Sequence, residues 1–296
     1  MSRLAHVPQQ LAAIANHPLN RSKRLKALLR WFKWQIGSRL VPGPVLVPFV
    51  NSYSLIAQPG MTGVTQNIYV GLAEFREMAL LLHTLKSDDL FVDVGANVGA
   101  YTVLAGSTGC GVIAIEPIEK TFRWLQRNID TNALASRVEL HQCGVGECQF
   151  KMRFTVSQDT VNHVCNGDEP GAEVEVTTLD DLLGGREASI IKIDVEGFEF
   201  QVLQGAKRTL RSSTLKVLII EVNGLCRRYD ITESQILSEV RKYGFVAINY
   251  DPFRRAISLC NDERIQNQNV IFVRDIPDIA ERISMSPKFQ IGNGTI

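Results

Sequence analysis

Apolar positions recur along this chain in two rhythms. From residue 90 onward, short apolar runs alternate with stretches of helical spacing. Leu90–Val94, Val112–Glu116 and Val138–Gln142 read as strands, with helices predicted from Gly99 to about Ala105 and over Lys120–Asn132 between them. Ile190–Asp194 and Val217–Val222 read as further buried strands around a helix over Phe200–Leu210. A helix over Ser234–Tyr243 and terminal strands over Phe245–Tyr250 and Val270–Val273 follow. Strands separated by helices predict an α/β, doubly wound parallel sheet. Residues 148–178 break the rhythm. Two β-rich runs, Gln149–Val156 and Glu173–Thr177, flank a polar turn and predict a β-hairpin inserted after the third core strand.

Ahead of the sheet, residues 21–40 have the spacing of an amphipathic helix. Leu25, Leu28, Leu29, Phe32, Ile36 and Leu40 form its apolar stripe, flanked by Trp31 and Trp34, and Val41-Pro42-Gly43-Pro44 ends it. Residues 45–70 carry β-prone stretches broken by Pro48, Pro59 and Gly60, and a helix over Leu72–Leu85 is led by Glu74 and Glu77. The expected organisation is a helical N-terminal extension over 1–70, an α/β domain over 71–280 and a mobile Gly/Asn-containing tail over 281–296.

Charge changes the picture of the extension. The chain is nearly neutral, yet no acidic residue precedes Glu74, whereas Arg3, Arg21, Lys23, Arg24, Lys26, Arg30, Lys33 and Arg39 all do. A basic arm on an acidic body predicts either a solvated face or contact with an anionic surface, including peripheral membrane contact through residues 21–40. No apolar run approaches the ~20 residues of a spanning helix, and the N-terminus lacks the order of a signal peptide. The six cysteines show neither a Cys-x-x-Cys pair nor a zinc-like spacing. Together these features predict a cytoplasmic protein, membrane-peripheral if the arm docks.

The chemistry gathers at strand ends. Phe91-Val92-Asp93-Val94-Gly95-Ala96-Asn97-Val98-Gly99 is a buried strand running into a glycine turn and a helix. Dinucleotide loops read Gly-x-Gly-x-x-Gly. Here the spacing is Asp-x-Gly-x-x-x-Gly, with Asn97 where a second glycine would stand. That pattern suits a methionine-like moiety, held by Asp93 and backbone amides, better than a pyrophosphate. Glu116, at the next strand's end, is placed to accept both hydroxyls of a ribose. Cys143 and Gly144, after the third strand, are placed to edge an adenine ring. These residues predict S-adenosyl-L-methionine as cofactor. Asp194 and Glu196 on one turn, and Glu221 one strand later, can act as a general base or hold a divalent cation. The plainer reading of Asp194 or Glu196 is a cap on the following helix. His163, in the inserted hairpin, is a further candidate base, and as readily a surface residue.

Together, Asp93–Gly99, Glu116-Pro117, Thr178-Leu179-Asp180-Asp181, Lys192-Ile193-Asp194-Val195-Glu196-Gly197 and Ile220-Glu221 make the chain resemble the FkbM-type methyltransferase family, from roughly Glu74 to Asn223. The resemblance implies a class I methyltransferase (Rossmann-like) fold, with a seven-stranded sheet whose last strand is antiparallel. It also implies O-methylation of a hydroxyl on a sugar, glycan or other metabolite. The Asn/Asp-Pro-Pro-aromatic motif of nucleobase amino methylases is absent, which argues against a nucleic-acid acceptor. Two rival readings stand beside it: a nicotinamide-dependent oxidoreductase, and a non-catalytic scaffold that keeps a nucleoside-cofactor fold.

Overall fold

The computed structural model describes residues 7–41, 43–155, 163–165, 169–260, 268–292 and 294–296. The chain opens with helices α1 (Val7–Asn16) and α2 (Arg24–Leu40), a hairpin of β1 (Val45–Pro48) and β2 (Ser54–Ala57), then α3 (Thr62–Val70) and α4 (Phe75–Thr84). The wound core begins with β3 (Leu90–Val94), α5 (Ala100–Gly106), β4 (Gly111–Ile115), α6 (Glu119–Thr131) and β5 (Val138–His141). An insertion holds β6 (Gly144–Val145), β7 (Phe150–Phe154), β8 (Ala172–Thr177) and α7 (Leu179–Leu183). The core resumes with β9 (Ile190–Ile193), α8 (Glu199–Gln204), α9 (Lys207–Arg211), β10 (Val217–Val222), α10 (Glu233–Arg241), β11 (Val246–Asp251), β12 (Ala256–Leu259) and β13 (Gln268–Val273). Helix α11 (Ile276–Met285) and a small hairpin, β14 (Gln290–Ile291) and β15 (Gly294–Thr295), end it.

The main sheet has the order β12-β11-β13-β10-β9-β3-β4-β5. Strands β10, β9, β3, β4 and β5 run parallel, and β13 lies antiparallel between β10 and β11. The seven wound strands expected are therefore present, with β12 added as an eighth along the β11 edge. The central strands are apolar on both faces because helices cover both. Alternate residues enter two different cores: Phe91, Val112, Ala114 and Ile219 on one side, Val92, Val94, Ile113 and Ile220 on the other. The chain lays β4 and β5 on one side of β3, then returns to place β9 and β10 on the other. This reversal opens a crevice at the carboxyl ends of β3 and β9.

The inserted hairpin forms as β7 against β8, in a separate sheet with β6. The far end of the first predicted strand, Val156, and the polar residues 157–162 lie outside the described residues. The single helix expected over 200–210 is two. They part at Gly205, where a Cβ would lie 1.9 Å from the Gly146 carbonyl oxygen, so the helix junction presses on the β6 turn. Residues 62–70, read as β-prone, form α3. Of residues 281–296, where a mobile tail was expected, the described ones complete α11 and fold back with Phe289, Ile291 and Ile296 buried, and Asn51 exchanges hydrogen bonds with Gln290.

Helix α2 forms as predicted but divides its apolar residues. Ala27 and Trp31 are buried against Ile14, Tyr69 and Val70 in a small core shared by α1, α2 and α3, and Trp34 packs on it. The two tryptophans thus face inward, not outward as interfacial anchors. Leu25, Leu29, Phe32, Ile36 and Leu40 remain exposed. Among the described residues, no helix is long and apolar enough to cross a membrane.

Candidate active site

The crevice holds a cavity of about 470 Å³. Its floor is the Asp93–Val98 loop, and Glu116, Cys143, Gly144, Asp194, Glu196 and Glu221 all line it. Every candidate from the sequence except Gly99 and His163 therefore meets in one place. Helix α3 forms part of the wall through Thr62, Gly63, Gln66 and Asn67, and the start of α4 adds Ala73 and Glu74.

The loop follows from close backbone approach. Gly95 sits at φ +82°, and a Cβ there would lie 1.9 Å from the carbonyl oxygen of Asp194 on the neighbouring strand end. Gly99, at φ +91°, begins α5 against Leu125, whose Cδ1 would be 2.6 Å from a Cβ. Gly99 thus shapes the loop from behind. Asn97 between them takes φ +52°, a left-handed conformation Asn tolerates. The loop amides were expected to receive a ligand carboxylate, but they already donate within the protein. Gly95 and Ala96 donate to the Ile115 carbonyl, Asn97 to Glu116, Val98 to the Asn97 side chain and Gly99 to the Ala96 carbonyl. What the loop offers the cavity is bare backbone and the Asp93 carboxylate. Asp93 is fully buried. Its Oδ2 accepts from Thr102 Oγ1 at 2.6 Å, while Oδ1 has no partner among the described residues. Burial pushes its pKa up to about 6.

Glu116 is buried, not a surface residue at a strand end. One carboxylate oxygen accepts from the Asn97 N–H and the other from the Ile118 N–H, each at 3.0 Å. Burial raises its pKa to about 7 despite these bonds. The Cys143 thiol is pushed up to about 11 by burial and has no thiolate character at neutral pH. Gly144 keeps the wall thin, since a Cβ would meet Val176 and Phe154 near 3.0 Å.

The acidic side of the cavity is built on β9 and β10. Lys192 and Asp194 are two residues apart, so they share a face of the chain. The buried Lys192 Nζ lies 2.6 Å from Asp194 Oδ2 and 4.6 Å from the centre of the Tyr101 ring. Burial opposes its charge, but Asp194, Glu74 and Asp93 outweigh that penalty and hold it protonated. Glu196 adopts φ +55°, a strained conformation for Glu, and its pKa rises to about 7 through burial and the neighbouring Asp194 and Glu199. Glu221 rises further, to about 10, through burial and then Asp194, Glu196 and Glu199. Its Oε2 has no hydrogen-bond partner among the described residues. One oxygen each of Asp194, Glu196 and Glu221 lies within 4.8 Å of the others.

The capping reading of Asp194 and Glu196 is not what the turn uses. Glu199, absent from the sequence candidates, accepts from the Val195 and Gly197 N–H groups instead. Glu74 was missed as a site residue. Its carboxylate accepts from Tyr101 Oη and, at 2.7 Å, from Asn269 Nδ2, and burial raises its pKa. Lys192 carries its own signal in the sequence, the Lys-x-Asp alternation at a buried strand end. His163 does not line the cavity. It is buried in the insertion with Nε2 3.3 Å from Glu169, so its candidacy as a base is withdrawn. Its neighbours Asp159–Asn162 lie outside the described residues.

The family described as Methyltransferase FkbM domain matches residues 93–247, which span the loop, Glu116 and all three strand-end carboxylates. Hexuronic acid methyltransferase AglP of Haloferax volcanii is 30% identical over 166 residues, 55% of this chain and 66% of that protein. Methyltransferase 1 of Beauveria bassiana is 30% identical over 146 residues, 40% of this chain and 58% of that protein. The match thus spans less than two thirds of either relative. The solved Methyltransferase FkbM from Methylobacillus flagellatus aligns with 22% identity and a TM-score of 0.43, over 64% of this chain and 44% of that one.

Proposed function

Because the chain belongs to the FkbM methyltransferase family, we propose that it is an S-adenosyl-L-methionine-dependent methyltransferase acting on a hydroxyl of a sugar, glycan or other small metabolite. The observation that carries this reading is the cavity at the β3–β9 crevice, where a bare glycine loop, a buried ribose-type acceptor and strand-end carboxylates converge. The residues fit such a donor on two counts. The Asp93–Val98 backbone floors the cavity, and Asp93 Oδ1 is a buried oxygen with no partner among the described residues, suited to an ammonium. Glu116 would receive the ribose hydroxyls, with Asn97 fixing its carboxylate, and Cys143 and Gly144 would edge the base.

The bound donor supplies a methyl group already activated on a sulfonium, so the chain's own task is alignment and proton removal. We assign the proton to Glu196. Its pKa near 7 suits a general base at neutral pH. Burial and its acidic neighbours favour the protonated form of Glu221, and Asp194 is paired with Lys192. A Glu196 carboxylate oxygen would take the acceptor hydroxyl's proton as that oxygen is methylated. The Lys192 ammonium offsets part of the acidic cluster. Turnover in excess chelator tests whether a divalent cation also joins Asp194, Glu196 and Glu221.

A carbohydrate acceptor is supported by the hexuronic acid methyltransferase among the relatives. The test has two stages. Native mass spectrometry of the freshly purified protein should find co-purified S-adenosylmethionine or S-adenosylhomocysteine, or calorimetry should show binding of the latter. A panel of sugars and uronic acids is then screened for release of S-adenosylhomocysteine. Binding of NAD or NADP in place of S-adenosylhomocysteine would overturn the reading in favour of an oxidoreductase. Cofactor binding by a protein that turns over no hydroxylated acceptor would leave a scaffold.

A further inference from the structure

Helix α2 has two apolar faces, and only one is used by the fold. At 100° per residue, Ala27, Trp31 and Trp34 fall on one side and enter the small core against α1 and α3. Leu25, Leu29, Phe32, Ile36 and Leu40 fall within a narrow arc on the opposite side, between 49% and 75% exposed. Lys26 and Lys33 border that arc on one flank and Arg39 on the other, all three exposed. Arg30 is different: it donates to Asn20 Oδ1 at 2.8 Å and to the Tyr69 carbonyl at 3.0 Å, which ties α2 to α3.

We propose that this outer face of α2 docks flat on an anionic lipid surface. The five apolar side chains enter the acyl boundary, and Lys26, Lys33 and Arg39 reach the phosphates. Three observations favour lipid over protein. The stripe is one helix wide and about 22 Å long, narrow for a stable protein interface, which takes roughly 20–30 residues a side. Its borders carry only cations, and no acidic residue occurs before Glu74 to repel an anionic surface. The helix is also firmly seated on the body through Trp31 and Arg30, so docking requires no folding of a free arm. Helix α3 carries α2 and also lines the cavity through Thr62, Gly63 and Gln66, so docking sets the cavity one helix away from the lipid.

The experiment compares the full chain with a full-length variant carrying Leu25→Gln, Leu29→Gln and Ile36→Gln. All three positions are exposed, and the variant should melt no lower than the parent. The parent should pellet with vesicles of phosphatidylcholine and phosphatidylglycerol at low salt, less with phosphatidylcholine alone, and less as salt rises. The variant should stay in the supernatant throughout. A parent that ignores anionic vesicles at low salt, or a variant that pellets equally, overturns the proposal. Sedimentation velocity without lipid adds a further arm. Self-association of the parent that the variant abolishes would assign the face to a second copy and likewise overturn it. None of these readouts depends on methyl transfer.

Discussion

The carbonyl oxygen of Asp194 occupies the space that a side chain on Gly95 would need, 1.9 Å from the ideal Cβ position. The first and fourth strands of the wound sheet therefore touch backbone to backbone at the floor of the cavity. Gly95→Ala cannot be a clean probe of ligand binding, because it pushes on the sheet before it meets any ligand. We expect it to lower the melting temperature as well as abolish S-adenosylhomocysteine binding. Gly185→Ala is the control: its φ of +93° is as strained, but nothing lies within 4 Å. Equal melting of the two variants would show that the strand contact is looser than described.

Glu116→Ala removes two acceptors that backbone N–H groups hold in place. Charge-assisted hydrogen bonds contribute about 1.5–3 kcal/mol, so calorimetry should show affinity for S-adenosylhomocysteine weakened by roughly 10- to 150-fold. Affinity should also rise with pH through about 7 in the parent, as Glu116 gives up its proton, and this dependence should vanish in the variant. Parent-like affinity in Glu116→Ala would remove it from the ribose site.

Glu196→Gln should lower kcat by about 10²-fold or more, the usual range for loss of a general base, and leave S-adenosylhomocysteine affinity unchanged. Its kcat should no longer rise through the pH near 7 at which Glu196 ionises. Parent-like kcat would pass the role of base to another group.

The buried carboxylates set the direction of the pH dependence of folding. Asp93, Glu116, Glu196 and Glu199 have folded pKa values of about 6 to 7, above their ordinary 3.8 or 4.5, and Glu221 is higher still. Between those limits the folded protein binds more protons than the unfolded chain. The contribution of the first four is fully present below the ordinary carboxylate range and is lost as pH rises through about 7, and that of Glu221 is lost at higher pH. The ligand-free protein should melt higher at pH 5.5 than at pH 8. A flat or inverted profile would contradict the buried state of these groups.

Lys192→Met leaves Asp194, Asp93 and Glu74 around an empty position. Removing one partner of a buried pair costs about 3–5 kcal/mol, which chemical denaturation should resolve. Lys192→Met with Asp194→Asn should recover part of that loss. No recovery would mean that Lys192 acts through packing on Tyr101.

The sequence revealed those parts of the site that are local in the chain. The Asp93–Gly99 loop, Glu116 and the Lys192–Glu196 turn each lie at the end of an apolar run, and strand ends share one edge of a parallel sheet. Glu74, Thr62 and Gln66 reach the cavity only because α4 packs on α5 and β11 and α3 on α2 and β2. Nothing in their own neighbourhood marks them. Helix α3 was itself hidden, since Val64, Thr65, Ile68 and Val70 are β-branched and favour strands in isolation. Packing of Val64 and Tyr69 overrides that preference. A place in an inserted hairpin does not say whether a side chain faces the cavity, and His163 does not line it.

Trp34 and Ile68 pack against both the large core and the small core of α1–α3. Among the described residues the small core buries five apolar side chains, far fewer than either core of the sheet. An occupant of the cavity that touches Thr62 or Gln66 would hold α3 in place and so stabilise α2, which packs on it. By reciprocity, a surface bound to the outer face of α2 as proposed would tighten the cavity by the same free energy. On that proposal, the helix that walls the site would also be its line of communication with whatever lies beyond the protein.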